Sequence, residues 1–194
     1  MTCTPQSTQN LKSGSSSVEN QRRSEMNEQL LEFAAKAKNA LKTMDGIKAR
    51  ATMATELSHL LTNKDAIADI FSGDISDRHL LYEDEELGFC ILAHRYKGAR
   101  TAPPHDHADC WAIYGQVSGE THMRDYEILK APSGDAPGVV RETRTYHLAP
   151  GDAHIYEVGD IHSPARHAPT ELIRIEERNM AGVPRAKFIE AQDS

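Results

Sequence analysis

Pro103-Pro104-His105-Asp106-His107 is the stretch on which the fold and chemistry of this chain turn. On an extended backbone, residues i and i+2 project to one side, so His105 and His107 aim two imidazoles at a common point while Asp106 faces away. The same spacing also arises in surface segments, because histidine is intermediate in burial. The pair gains weight from a second stretch, Leu148-Ala149-Pro150-Gly151-Asp152, followed by Ala153 to Glu157 and then Gly159-Asp160-Ile161-His162. A Pro-Gly-Asp turn, a short strand, a glycine turn and a histidine opening the next strand return a third imidazole to the same place. His154 stands three residues after Gly151 and competes with His162 for that third position.

Around these stretches the texture is that of short strands. Gly88 to His94, Trp111 to Val117, Val139 to Leu148 and Glu171 to Ile175 are separated by Gly, Pro and Asp clusters, the pattern of a β-barrel or sandwich. Upstream the period is helical. Leu30, Phe33, Ala34, Ala37, Leu41 and Met44 recur every three or four residues and share one face. This helix ends near Asp45-Gly46, and a second spans Ile47 to Leu61. A third opens at Asn63, whose side chain caps free N–H groups ahead of Ala66, Ile67, Ile70 and Phe71, and Ser72-Gly73-Asp74 stops it. Residues 1–23 are rich in Ser, Thr, Gln and Asn, with too little apolar surface to offset the entropy of ordering. The expected organisation is a disordered tail over 1–23, a helical segment over 24–73 packed on the barrel, the barrel over 74–180 and a C-terminal tail over 181–194. A chain of 194 residues suits one such domain.

The formal charge of -7 comes from acidic and basic residues scattered along the chain, so neither nucleic acid nor membrane is an expected partner. Cys3, Cys90 and Cys110 lack metal-finger spacing, and no apolar run has the length of a signal-peptide core or a membrane span. A cytoplasmic protein with free thiols is expected. The amphipathic helices and free barrel edges point to a homodimer, since exposed strands tend to be paired or covered.

With both histidine stretches present in order, the sequence resembles the cupin family. Its first motif places H-x-H ahead of a Glu and a Gly, and its second runs P-G-D, a short strand and G-x-x-H. Here the segment Asp125 to His147 lies between them. The resemblance implies a mainly β fold, a double-stranded β-helix (jelly-roll) barrel preceded by two or three α-helices. In cupins the Pro-Gly-Asp turn sits one strand before the ligand, which favours His162 over His154. The metal ligands so implied are His105, His107 and His162. The usual fourth ligand, a Glu, is missing: Trp111 and Ala112 stand there. His94, His122, His147 and His167 have no partner at ligand spacing and read as structural or surface histidines. Three neutral ligands leave the ion its double charge and open positions, which suits ferrous iron; zinc, nickel or manganese are the other ions such a site takes.

Four stretches narrow the resemblance to the cysteine dioxygenase group, the thiol dioxygenases: Arg78-His79-Leu80-Leu81-Tyr82, Pro104 to His107, Trp111 to Gly115, and Gly159 to His162. It implies iron on three histidines and, at the place of Arg78, an arginine whose planar guanidinium grips a substrate carboxylate. A barrel-edge salt bridge is the structural alternative for Arg78. The departures are as informative. The Ser-His-Tyr relay of the eukaryotic type would fall on Leu172, Arg174 and Glu176, and the cysteine cross-linked to that tyrosine is Ala112 here. Cysteine is therefore not required as the substrate. Arg174 and Glu176 share a face, forming an ion pair at the pocket mouth, leaving Arg174 to contact an acidic substrate, or making a structural surface pair. Tyr114, Trp111 and Tyr156 are candidates for pocket walls and supporting hydrogen bonds. The expected function is a non-haem iron dioxygenase converting a small anionic thiol, cysteine or a mercaptocarboxylate, to a sulfinate, with dioxygen as co-substrate. The alternatives are a three-His metalloenzyme acting on an enolisable small molecule, and a metal-dependent binding protein without turnover.

Overall fold

The computed structural model describes residues 15–192, with side chains from residue 28 onward. Three helices, α1 (Ser15–Thr43), α2 (Gly46–Thr62) and α3 (Lys64–Ile70), precede the strands. Asp45 caps α2 by accepting from the Lys48 N–H at 3.0 Å, and Asn63 caps α3 by accepting from Ala66 at 3.1 Å. The helix begins upstream of Ser24, where the apolar period starts. Residues 15–23 hold no Gly or Pro to stop it, and the packed half supplies the costly nucleus. Of the expected disordered tail, residues 1–14 lie outside the described residues.

The strands are β1 (His79–Glu83), β2 (Cys90–Tyr96), β3 (Arg100–Thr101), β4 (Ala112–Ser118), β5 (Thr121–Lys130), β6 (Gly138–Leu148), β7 (Ala153–Tyr156), β8 (Ile161–Arg166), β9 (Thr170–Glu176) and β10 (Phe188–Glu190). They form two five-stranded sheets, ordered β1-β2-β9-β4-β7 and β10-β6-β5-β8-β3. From β2 to β5 and again from β6 to β10 successive strands alternate between the sheets, and the two wrap into the jelly-roll barrel that the resemblance implies. The expected C-terminal tail is corrected in part. Phe188 to Glu190 pair in parallel with Gly138 to Val140 and cover the edge of β6. The Phe188 ring fits over Gly138, where a Cβ would meet it at 2.7 Å.

The helices lie on the outer face of the first sheet. Phe33, Met53, Leu57 and Leu60 pack against Phe89, Ile91, Ala93, Ile113, Ile173 and Ile175 in one buried cluster. Each fully buried Leu or Met there contributes about 2 kcal/mol. The alternate residues of the same strands, Leu92, His94, Ala112, Tyr114, Leu172, Arg174 and Glu176, face the barrel interior. Trp111 belongs to the helix-facing cluster, so it does not wall the interior as the sequence suggested. α2 presses against β4 at Gly115, where a Cβ would lie 2.7 Å from Leu57 Cδ2.

α1 is also tied to the β1–β2 turn through Asp84, whose buried carboxylate meets Lys38 at 3.2 Å, the Tyr82 hydroxyl at 2.9 Å and the Leu87 N–H at 2.8 Å. Burial pushes this carboxyl up, but its donors outweigh burial and hold it at about 2.

Gly115→Ala is expected to destabilise the fold by about 1–3 kcal/mol, measured as a lower denaturation midpoint at unchanged slope. Asp84, with a folded-state value below its unfolded 3.8, contributes stability that is fully present above that value and lost as pH falls toward 2. Asp84→Asn should therefore cost about 2 kcal/mol at pH 7 and flatten the acid limb of the stability curve. An unchanged acid limb would show that Asp84 is not what sets it.

Candidate metal centre

His105, His107 and His162 are brought together from two distant segments. The backbone does this directly: the His105 N–H donates to the His162 carbonyl and the His162 N–H to the His105 carbonyl, both at 3.0 Å. The H-x-H pair therefore sits on an isolated bridge rather than within a regular strand. After His107 the chain turns sharply at Ala108, which holds a φ of 54°. The Asp106 carboxylate steadies this turn by accepting from the Ala108 N–H at 3.0 Å. On the other side β7, the Gly159 turn and β8 deliver His162. Arg50 of α2 grips Glu157 of that turn through Nε at 2.9 Å and Nη2 at 2.7 Å.

One ligand nitrogen from each of the three imidazoles lies within 4.8 Å of the others. His154 lies outside this cluster; it pairs across β7 with Tyr114, and its ring sits 4.8 Å from those of Tyr146 and Tyr156. Cys110 is buried and also outside the cluster.

His107 and His162 are fully buried and His105 partly so. Burial, then the Arg174 cation, pushes the His107 imidazole down to about 2. Burial does the same to His162, well below the usual range, and lowers His105. All three are neutral near pH 7 and present lone pairs. The His105 Nδ1–H donates to the Pro103 carbonyl at 2.8 Å, which frees Nε2 for ligation. Both nitrogens of His162 and Nδ1 of His107 are buried without a hydrogen-bond partner. A stranded buried polar atom costs about 1–3 kcal/mol, and a divalent cation amid three convergent imidazoles removes that cost. The residues thus fit a metal ion held by three neutral nitrogens, with its remaining positions open.

Aromatic side chains hold the cluster. Tyr156 stacks on His162 with centroids 3.9 Å apart, and the Tyr114 hydroxyl lies 3.0 Å from His107 Nε2. Burial raises the Tyr114 phenol, so it stays protonated. Tyr156 also bonds Tyr146, hydroxyl to hydroxyl at 2.9 Å, and Tyr146 donates to Asp125 at 3.1 Å. Tyr156 further lines a cavity of about 210 Å³ that includes Asp125, Arg144, His154 and Asp160.

The interior beside the imidazoles is cationic. Arg174, its side chain 12% exposed, lies over the Tyr114 ring at 4.3 Å and donates to Glu176 at 3.2 Å. Glu176 also accepts from Arg78 at 2.8 Å, and Arg78 donates to Asn179 at 2.8 Å. The Arg78 guanidinium, assigned from sequence to the substrate carboxylate, is thus engaged by protein groups on the Nη2 side. Arg174 and Glu176 pair inside the barrel, not at a mouth. Arg166, which sequence reasoning passed over, is buried over the Tyr96 ring at 4.6 Å. Its Nε and Nη2, like Arg174 Nε, have no partner among the described residues. The signal for Arg166 was present: it stands four residues after His162 on an extended strand and so shares its face.

No protein-family model matches the chain, and no curated protein matches it. Solved structures of part of the chain's length are similar. A cupin-2 domain protein from Shewanella frigidimarina is 15% identical, with 55% of this chain and 87% of that one covered and a TM-score of 0.40. KdgF from Halomonas sp. is 16% identical over 54% and 86%, with a TM-score of 0.40. The Cnp3 cupin domain of Schizosaccharomyces pombe is 10% identical over 57% and 67%, with a TM-score of 0.42.

Anaerobic loading with ferrous iron should give about one ion per chain, and His107→Ala or His162→Ala should lower retention 10-fold or more. Metal analysis after desalting checks this; equal retention in parent and variants would remove the three imidazoles from the ligand set.

Proposed function

We propose that this chain is a metal-dependent oxygenase of small anionic thiols, with the three imidazoles holding ferrous iron and the interior guanidiniums holding the substrate's carboxylate. The observation that carries it is the pair Arg166 and Arg174: two cations in the barrel interior with unpaired N–H groups, of which Arg174 acts directly on the neutral His107 and His162. A buried cation without a partner is costly, and an anionic ligand supplies what the fold omits.

When bound, ferrous iron supplies the chemistry that adds both atoms of dioxygen to a thiol sulfur, so that RSH becomes RSO2H. The chain's own residues orient and enclose. Arg174 is steered by Glu176 and the Tyr114 ring, which leaves Nε free for one carboxylate oxygen. Arg166 offers Nε and Nη2 from the neighbouring sheet. Charge-assisted bonds of this kind are about twice as strong as neutral ones. Tyr114 Oη keeps its proton and places a hydroxyl beside His107, where it can hydrogen-bond a polar group of the substrate. It is the one hydroxyl of β4 in that position and stands in for the relay that Leu172, Arg174 and Glu176 do not provide. Tyr156 and the barrel wall exclude water from the imidazoles.

Oxygen-electrode measurements on iron-loaded protein with cysteine and short mercaptocarboxylates should show uptake matched by sulfinate. Uncharged thiols of the same size should show a KM raised about tenfold or more. Arg166→Met removes a buried charge without stranding a partner, so it should leave the unfolding midpoint unchanged or higher while raising KM about tenfold. Turnover of an enolisable substrate under strict anaerobiosis, with no oxygen uptake on any thiol, would transfer the site to the lyase or isomerase class instead.

A further inference from the structure

The outer face of the second sheet carries another cluster of metal-ligating side chains. His122 on β5 and His147 on β6 are direct cross-strand partners, and their rings meet edge to face with centroids 4.2 Å apart. Glu120 enters from the turn before β5. Its carboxylate and one nitrogen of each imidazole lie within 4.8 Å of one another. His167, just past the end of β8, brings a third ring to 4.8 Å from that of His122. Read from sequence, these histidines had no partner; the antiparallel register supplies one.

The cluster is built on stiff elements. β5 is hydrogen-bonded on both sides, to β6 and to β8, so the spacing of His122 to His147 is set by the ladder. The turns that carry Glu120 and His167 are pressed together at Gly119, where a Cβ would meet the Pro169 carbonyl oxygen at 2.6 Å. Thr121 and Met123, the neighbours of His122, are buried inward, which commits His122 to the outside. The inner triad draws its ligands from His105, His107 and His162, and the two clusters share no residue.

We propose that Glu120, His122 and His147, with His167 at their flank, form a second, solvent-facing site for a divalent transition metal of the zinc or copper class. Imidazole nitrogens with one carboxylate suit these borderline ions, whereas calcium and magnesium demand oxygen ligands. Solvent completes the coordination, as befits a site on an open face. A bound ion ties β6 to β5 and to the β4–β5 turn and so acts as a clip on the second sheet, independently of whatever the inner triad does.

The test is zinc titration by calorimetry and equilibrium dialysis on the parent chain, on His122→Gln/His147→Gln and on His105→Gln/His107→Gln. The parent is expected to bind about two ions per chain, and each double variant about one. Zinc should raise the thermal midpoint of the parent and of the inner variant, and the part of that rise owed to the clip should vanish from the outer variant. Circular dichroism confirms that each variant is folded before it is compared. An outer variant that keeps the parent's stoichiometry and zinc-induced rise overturns the proposal. So does a parent that binds only the ion lost with the inner triad. A missing inner ion with the outer one intact would count against the iron site alone.

Discussion

The alternation along β9 is the constraint on which the rest of the molecule depends. Ile173 and Ile175 turn to the helices, and Arg174 and Glu176 turn to the barrel interior. A strand buried on both faces ordinarily reads as a continuous apolar run. Here the apolar burial needed for stability is met on the outside, by α1 and α2 against the first sheet. The interior is thereby relieved of supplying most of the hydrophobic core, and between Leu92, Ala112 and Leu172 it holds imidazoles, phenols, guanidiniums and the carboxylates of Glu176 and Asp125. The inward side chains of the first sheet are held in register by a layer that never touches them.

That division explains which parts of the structure were legible in the sequence. The helices were, because the 3.6 period of Leu30 to Met44 needs no partner to be seen, and Asn63 announced its cap. His105, His107 and His162 were, because a two-residue spacing and a glycine turn are local signals. What escaped was set by long-range register. Arg166 looks like an ordinary surface arginine until the barrel closes around it, and Arg174, expected at the pocket mouth, lies inside the barrel with Glu176. His122 and His147 are far apart in the chain and meet only through the β5–β6 ladder. β10 is three residues long and gains meaning only from the edge of β6 that it covers. Trp111, offered as a pocket-wall candidate, packs in the helix-facing cluster instead, which only the position of the helices decides. The start of α1 was misplaced for a different reason: composition suggested a coil where continuity with a packed helix decides.

Inside the barrel, charge and neutrality are sorted with care. Glu176 bridges Arg78 and Arg174, and no carboxylate pairs with Arg166 among the described residues, so cations outnumber anions. Of these cations Arg174 helps burial to keep His107 and His162 unprotonated. A chamber that is positive at one wall and offers neutral nitrogen donors at another can receive a divalent cation and an anionic ligand together, each moderating the field of the other. In the proposed function this pairing selects a substrate that carries both a negative group and a soft donor.

Because the helix-facing and interior-facing residues of β2, β4 and β9 alternate, the side chains that keep the protein folded and those that would discriminate ligands are different positions on the same strands. Natural variation can then rewrite the interior at residues such as Tyr114, Leu172 and Arg174 while the isoleucines behind them stay fixed. Such a scaffold can acquire a new ligand preference by few substitutions and at little risk to the chain's ability to fold, a form of evolvability that follows directly from where its hydrophobic layer was placed.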